Sequence, residues 1–313
     1  MAHHDITTVI VNWNTSELLD GALRNLVDNP ASGRTNEIIV VDNDSSDDST
    51  QMMAQNWPSI RVIQMGENAG FCRANNAAIR ASDSDYVLLI NTDGRLYPGT
   101  FDAMLGYMDA DPQCAVVGPR LEYGDGSFQR WTGGELPGLR SVANFSFGLD
   151  RLASRKPSFA GVYASHDSTA PRRCGWVSSA VMLLRRSALD DFGPLDEAIF
   201  LYMDDVDLCQ RAADAGWNTW YAADATAVHF MSASSRKQVG AVSPETIRSA
   251  IRWYARHNPG LETAAFRAIL ATGFGLRGTV YRMRAALGGD ADAGAMAEAH
   301  WTMAKLSLER VDA

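Results

Sequence analysis

The residues of this 313-residue chain best placed to do chemistry are carboxylates at the ends of apolar runs. Asp93 closes the stretch Val87-Leu88-Leu89-Ile90-Asn91-Thr92-Asp93, in which four β-favouring residues between polar flanks read as a buried strand. Gly94 follows and lets the chain turn. A carboxylate at the C-terminal end of a parallel strand stands where open α/β sheets bind ligands. Asp93 could hold a divalent cation there, and the cation a diphosphate. A turn cap is the plainer use of the same residue, and position alone weighs the two evenly. Asp42 ends a second apolar run, Ile38-Ile39-Val40-Val41. Asp204, Asp205 and Asp207 crowd into four positions after an aromatic-apolar run and mark the start of a helix reaching Ala215, with Gly216 as its stop. Asp204 can cap that helix, and Asp207 resembles the acid of a capping box. Asp205 has no such ready structural use, and an aspartate facing a cleft at a helix start is a candidate general base. His229 ends a later β run, and a lone histidine is more often structural than a ligand.

The elements that must carry these residues alternate. Residues 6–11 form a β-branched strand, broken by Asn12-Trp13-Asn14-Thr15-Ser16 and followed by helix spacing at Leu18, Leu19, Ala22, Leu23 and Leu26. A strand at 38–41, a short helix near 49–56 and a strand at 60–64 come next. This rhythm with short loops is that of a parallel sheet in an α/β domain. Asn68 and Gly70 lie in a loop, and 72–80 read as a helix in which Asn75 and Asn76 are either exposed or aimed at a ligand. A helix from Pro98 to about 110 and a strand at 114–119 follow. From 121 to 173 no period is sustained, which predicts an irregular, substrate-facing insertion. Strand signals return at 181–184, 219–222 and 225–229. Trp176 precedes them; burial is the default for a tryptophan, and an exposed indole would make a sugar platform. Residues 231–240 form a Ser-rich loop whose Arg236 and Lys237 suit either closure over phosphates or solvation. Helices are expected at 244–257, at 261–287 with interruptions at Gly273, Gly275 and Gly278, and at about 293–310. The middle one carries Arg267, Arg277, Arg282 and Arg284 among large apolars. That suits an interfacial membrane helix, a helix packed on its own domain, or a dimer contact.

Composition narrows the classes. Hydrophobic residues at 46% and charged residues at 21% are ordinary for a globular protein. A net charge of -9 argues against nucleic acid as a partner. No apolar segment reaches the roughly 18 residues of a membrane span, and the N-terminus does not read as a secretory signal. Four widely spaced cysteines form no metal-type pair and suit reduced thiols in a cytoplasm.

In order and spacing, Val-Ile-Val-Asn-Trp-Asn (9–14), Val-Val-Asp-Asn-Asp-Ser-Ser-Asp (40–47), Glu-Asn-Ala-Gly-Phe (67–71), Leu-Ile-Asn-Thr-Asp (89–93) and Met-Asp-Asp-Val-Asp-Leu-Cys (203–209) resemble the motifs of glycosyltransferase family 2, closest to its rhamnosyltransferase-like members. The resemblance implies a GT-A fold: a Rossmann-like, mainly parallel mixed sheet flanked by helices. A domain at 1–240 would bind nucleotide-sugar and catalyse, with 121–173 as its acceptor-side insertion and 241–313 as a helical extension. It implies an inverting transfer from a nucleoside-diphosphate sugar, plausibly dTDP-L-rhamnose, to a glycan or lipid-linked glycan acceptor of envelope polysaccharide synthesis. Asn12, Asn14, Asp42, Asn68, Gly70, Asn75, Asn91 and Asp93 would bind the donor nucleotide. Asp93 and His229 would hold a magnesium or manganese ion, Asp205 would be the base, and Asp204 and Trp176 would meet the acceptor. Two departures stand out. Asn91 fills the first position of the metal motif, which implies weak metal binding, and Asp204 stands where the acidic motif usually has glutamate. The enzyme would work in the cytoplasm or peripherally on the inner membrane face. A non-catalytic sugar-nucleotide scaffold and a sugar nucleotidyltransferase remain as rivals; the latter's Gly-rich, Arg-containing N-terminal loop is missing.

Overall fold

β-branched runs with no polar side to spare become strands covered on both faces. In a computed structural model that describes residues 3–153, 155–164, 169–200, 202–230, 244–288 and 292–309, these runs are β1 (His4–Asn12), β2 (Asn36–Asp42), β3 (Arg61–Gln64) and β4 (Ser84–Ile90). They pair in parallel in the order β3-β2-β1-β4. The helices α1 (Ser16–Asp28), α2 (Ser49–Asn56) and α3 (Gly70–Arg80) connect them. α1 buries Leu19, Ala22, Leu23 and Leu26, the side its spacing predicts.

β4 stops at Ile90, short of the expected end at Asp93. The Asn91 N–H bonds Ala180 O at 3.0 Å, and the Gly94 N–H bonds Asn91 O at 2.9 Å, so residues 91–94 close a turn. The chain then enters β5 (Gly94–Leu96), α4 (Thr100–Ala110) and β6 (Cys114–Glu122). After the short strands β7 (Gly133–Gly134), β8 (Arg172–Arg173) and β9 (Trp176–Val177), β10 (Val181–Arg185) runs antiparallel between β4 and β6 and makes the sheet mixed. α6 (Arg186–Phe192) and α7 (Asp204–Asp214) follow. The two strands expected at 219–222 and 225–229 are one, β11 (Asn218–His229), whose register on β6 slips between Ala222 and Thr226. β11 also pairs antiparallel with β5, His229 opposite Gly94, which brings a residue from late in the chain beside Asp93.

The chain divides into two compact units: Met1–Gly134 with Ser168–Phe200 and Asp204–Met231, and Glu135–Asp167 with Leu201–Met203 and Ser232–Ala313. The sheet and its core, with Ile10, Leu23, Leu88 and Leu183 at 0% exposure, belong to the first. The stretch expected to be an irregular insertion is split between the units, and it contains the helix α5 (Leu139–Ser146), whose eight residues are too few to show a period.

The second unit adds α8 (Pro244–His257), α9 (Leu261–Ala286) and α10 (Ala293–Leu306). α9 runs unbroken through its three glycines. The glycines mark close approaches: a Cβ at Gly273 would stand 2.4 Å from Ser146 Cβ, and one at Gly278 would stand 2.8 Å from Trp301 Cδ1. The predicted loop at 231–240, with Arg236 and Lys237, lies outside the described residues. No helix among the described residues is long and apolar enough to cross a membrane.

Candidate active site

The C-terminal ends of β1, β2 and β4 carry a hydrogen-bonded net. Asn12, fully buried, donates from Nδ2 to Asp42 Oδ2 at 2.9 Å and to Ser45 Oγ at 3.0 Å. Asp42 Oδ1 in turn accepts the Ser45 N–H at 2.9 Å. Thr15 Oγ1 donates to Asn12 Oδ1 at 2.8 Å and lies 3.1 Å from Thr92 Oγ1, next to Asp93. Asn14 takes the left-handed φ of +53°, which an Asn side chain tolerates, and its Oδ1 accepts the Ser46 N–H at 2.7 Å. The net fixes the turns after β1 and β2 against each other. Trp13 rides on it with its side chain exposed (53%), a residue that sequence reasoning passed over.

Asn68 Oδ1 accepts the Gly70 N–H at 3.2 Å, and Gly70 O accepts Asn43 Nδ2 at 3.2 Å. Gly70 has φ +80°, and a Cβ there would sit 2.8 Å from Phe200 Cδ2, so only glycine fits. Asn75 differs from its expected role. It is 1% exposed, and its Nδ2 bonds Phe71 O at 2.9 Å inside α3, so its amide nitrogen serves the helix. Asn76 likewise holds Leu195 O at 2.8 Å and Glu197 Oε1 at 3.1 Å.

Asp93 and His229 meet as the β5–β11 pairing requires, with His229 Nε2 3.3 Å from Asp93 Oδ1. Arg95 braces the turn from behind: Nη1 donates to Thr92 O at 2.8 Å and to Gly94 O at 2.6 Å, and Nη2 to Leu18 O at 2.9 Å. Gln129, fully buried and also unforeseen, orients the histidine. Its Nε2 donates to Glu122 O at 3.2 Å and to His229 O, while its Oε1 faces His229 Nδ1 at 3.1 Å. Two carbonyl acceptors can only be met by the NH₂ group, so the oxygen must face Nδ1. Nδ1 then carries a proton, which leaves Nε2 as the ring nitrogen that faces Asp93. Two ligands about 2.1 Å from one octahedral cation and at right angles are roughly 3 Å apart, so the pair fits a shared ion. Among the described residues no third His, Cys, Asp or Glu joins them. A magnesium-like ion held by few protein groups completes its shell with water and substrate phosphate.

The second acidic station opens α7. Asp204 is 7% exposed and accepts Ser179 Oγ at 2.7 Å. Asp205 keeps some solvent contact and accepts its neighbour Val206 N–H at 2.9 Å. Burial first, then the Asp204 charge, pushes the Asp205 carboxyl well above the usual carboxylate range. Asp204 is also raised, by burial, and Ser179 opposes the shift. Asp207 is held by Arg211 Nε at 2.8 Å, and Arg211 also grips the carbonyls of residues 192–194, which is structural work. One short turn serves both stations: Ser179 holds Asp204 while Ala180 O takes the Asn91 N–H of the Asp93 turn. Trp176 is 4% exposed, so it offers no open indole face; its strand β9 pairs with β7, Trp176 opposite Gly134.

A mixed sheet with acidic turns at the ends of its parallel strands is the architecture of GT-A glycosyltransferases. A mannosyltransferase from Pyrobaculum calidifontis, solved with GDP-Man and Mn2+, is similar in fold (TM-score 0.56, 16% identity, 98% of this chain and 86% of that one). So is GalNAc-T7 solved with UDP, GalNAc and Mn2+ (TM-score 0.55, 10% identity, 72% of this chain and 44% of that one). The sequence model of glycosyl transferase family 2 matches residues 7–168, just over half the chain, and the chain belongs to that family. It is a glycosyltransferase whose curated relatives include rhamnosyltransferases. It is 28% identical to the Mycobacterium tuberculosis N-acetylglucosaminyl-diphospho-decaprenol L-rhamnosyltransferase, over 79% of this chain and 83% of that protein. It is 24% identical to the Escherichia coli rhamnosyltransferase WbbL, over 79% of this chain and 92% of that one.

Proposed function

We propose that the chain moves a sugar, with inversion, from a nucleoside-diphosphate sugar to a hydroxyl of a lipid-linked glycan in bacterial envelope polysaccharide synthesis. The donor we favour is dTDP-L-rhamnose, and the lipid-linked acceptor follows the M. tuberculosis relative's name. The observation that carries the reading is the pairing of two stations by one turn: Asp93 with His229 at 3.3 Å, and the raised carboxyl of Asp205, tied together through Ser179 and Ala180.

In this reading residues 1–240 form the catalytic domain, and the Asn12–Asp42–Ser45 net receives the nucleotide, with the exposed Trp13 stacking on its base. Asp93 and His229 hold magnesium or manganese. That ion supplies charge neutralisation for the departing diphosphate. Asp205 takes the proton of the acceptor hydroxyl as its oxygen bonds the anomeric carbon, and the bond to the nucleoside diphosphate breaks on the opposite side. A raised pKa suits this work, because a base poised nearer neutrality accepts a proton more readily. Asp204, held by Ser179, positions the start of α7 toward the acceptor. The enzyme acts in the cytoplasm, peripherally on the inner membrane face.

The test is Asp205→Asn. Turnover should fall by roughly 10² to 10⁴-fold while donor affinity stays within a factor of two or so. Unchanged turnover removes Asp205 from the chemistry. A wild type that binds sugar nucleotides and transfers nothing to any glycan acceptor would favour the scaffold reading.

A further inference from the structure

The sequence left open whether the Arg-rich C-terminal helix meets a membrane, its own domain or a second copy, and the second unit divides these roles between two faces of α9. One face is packed. Phe266, Leu270 and Phe274 are at most 4% exposed, and Tyr254 of α8 stacks on Phe266 at 4.0 Å between ring centroids. Arg267 and Arg277 are used inside the unit, on the carbonyls of Ser307 and Glu309 and of Phe145. The other face is open. Leu276, Val280, Met283 and Leu287 recur at i, i+4, i+7 and i+11 and remain 45–87% exposed. A helix turns about 100° per residue, so these four fall in one narrow stripe.

The flanks of that stripe have a definite chemistry. Trp301 of α10 lies against Gly275 and Gly278 of α9 and stays 38% exposed. Arg282 and Arg284 are exposed on either side, Arg284 with its guanidinium 5.8 Å from the Tyr281 ring centroid. From Leu270 to Leu287 the chain has no acidic residue, although the whole protein carries a net charge of -9. At the C-terminal end the stripe runs into an open cavity of about 410 Å³ whose lining includes Tyr281, Arg284, Leu287, Asp292 and Met296.

We propose that this face docks the enzyme on an anionic phospholipid surface. The Leu276–Leu287 stripe and Trp301 enter the headgroup–acyl boundary, and Arg282 and Arg284 meet lipid phosphates. Apolar residues on one side with tryptophan and arginine at the rim are what a helix lying in that boundary needs. The local positive charge in an acidic chain selects an anionic bilayer. A second copy is a poorer occupant, because across a symmetric contact the two arginines of each copy would find only Asp292 as an acidic partner among the residues of the stripe and its cavity. The inference deepens the lipid-linked acceptor reading, since docking would set the chain at the surface that presents such a substrate.

The experiment is co-sedimentation of the full chain with vesicles of phosphatidylcholine, and of phosphatidylcholine mixed with phosphatidylglycerol, without acceptor. The wild type should sediment with the mixed vesicles, poorly with phosphatidylcholine alone, and less as salt rises. Each basic residue near such a surface is worth roughly fivefold in partitioning, so Arg282→Glu with Arg284→Glu should lose at least tenfold. Met283→Glu with Leu287→Glu should lose as much; these residues are exposed, so the thermal transition should not move. Donor-nucleotide affinity, measured in solution, reads the catalytic proposal separately. Equal sedimentation of wild type and variants, or none with anionic vesicles, overturns the proposal. So does a stripe-dependent dimer in light scattering that vesicles fail to dissociate.

Discussion

Replacing Gln129 by leucine tests the geometry of the Asp93–His229 pair from a position that no substrate touches. The amide of the buried Gln129 makes three contacts with partly buried partners: His229 Nδ1, His229 O and Glu122 O. At about 1 kcal/mol per buried hydrogen bond, Gln129→Leu should cost roughly 3 kcal/mol of stability. Its larger consequence is chemical. Without Oε1 the Nδ1 proton loses its acceptor, and the ring is free to take the other tautomer or rotate. Partners behind a metal-bound histidine are typically worth 10- to 100-fold in metal affinity. Mn2+ titrated in the presence of the donor nucleotide and followed by electron paramagnetic resonance should therefore bind at least about tenfold more weakly. Histidine ¹⁵N shifts give a readout independent of turnover: wild-type His229 should carry its proton on Nδ1, and the variant should not hold that form. A wild-type ring protonated only at Nε2, or an unchanged Mn2+ affinity in a folded Gln129→Leu protein, would refute the argument.

Other outcomes follow from the same geometry. The Asp205 carboxyl is raised by burial and by Asp204, so the unfolded chain ionises it first; wild-type stability should fall as pH rises from the usual carboxylate range through the raised value. Asp205→Asn should show a smaller fall, since Asp204 keeps its own raised carboxyl, and should melt higher than wild type at neutral pH, although it is the inactive variant; a pH-independent difference between the two denaturant midpoints would contradict the linkage. The acid limb of wild-type kcat should lie above the ordinary aspartate range, as a pH–rate profile would show. Gly70→Ala forces a Cβ to 2.8 Å from Phe200 Cδ2 at φ +80° and should cost about 1–3 kcal/mol in urea unfolding, with weaker donor binding. Trp13→Ala removes the exposed ring and should weaken nucleotide binding by about 1–3 kcal/mol in calorimetry, with little change in stability.

The parallel half of the sheet was legible because buried strands are written as unbroken apolar runs and their helices as regular spacing. Pro244–His257 was legible for the same reason. The motif spacing singled out Asp93 and Asp205, and the resemblance grouped His229 with Asp93; the contact itself comes from pairing through β5, a three-residue strand too short to predict. Gln129 and Ser179 carry no local signal, since their partners lie 100 and 25 residues away. Asn75 and Trp176 lie deeper than a ligand contact would need, for a common reason. Residue type says what a side chain can do, whereas burial decides whether it does it, and both are at most 4% exposed. The glycines of α9 were taken for breaks because propensity is local, whereas Ser146 and Trp301, which need the missing Cβ atoms, come from other elements.

Calorimetric titration of the protein with UDP-, GDP- and dTDP-sugars, with and without Mn2+, tests the central claim most directly. The account predicts that one nucleotide class binds, dTDP foremost, and that Mn2+ tightens its binding in wild type but not in Asp93→Asn. Failure of every nucleotide sugar to bind, with or without Mn2+, would contradict it.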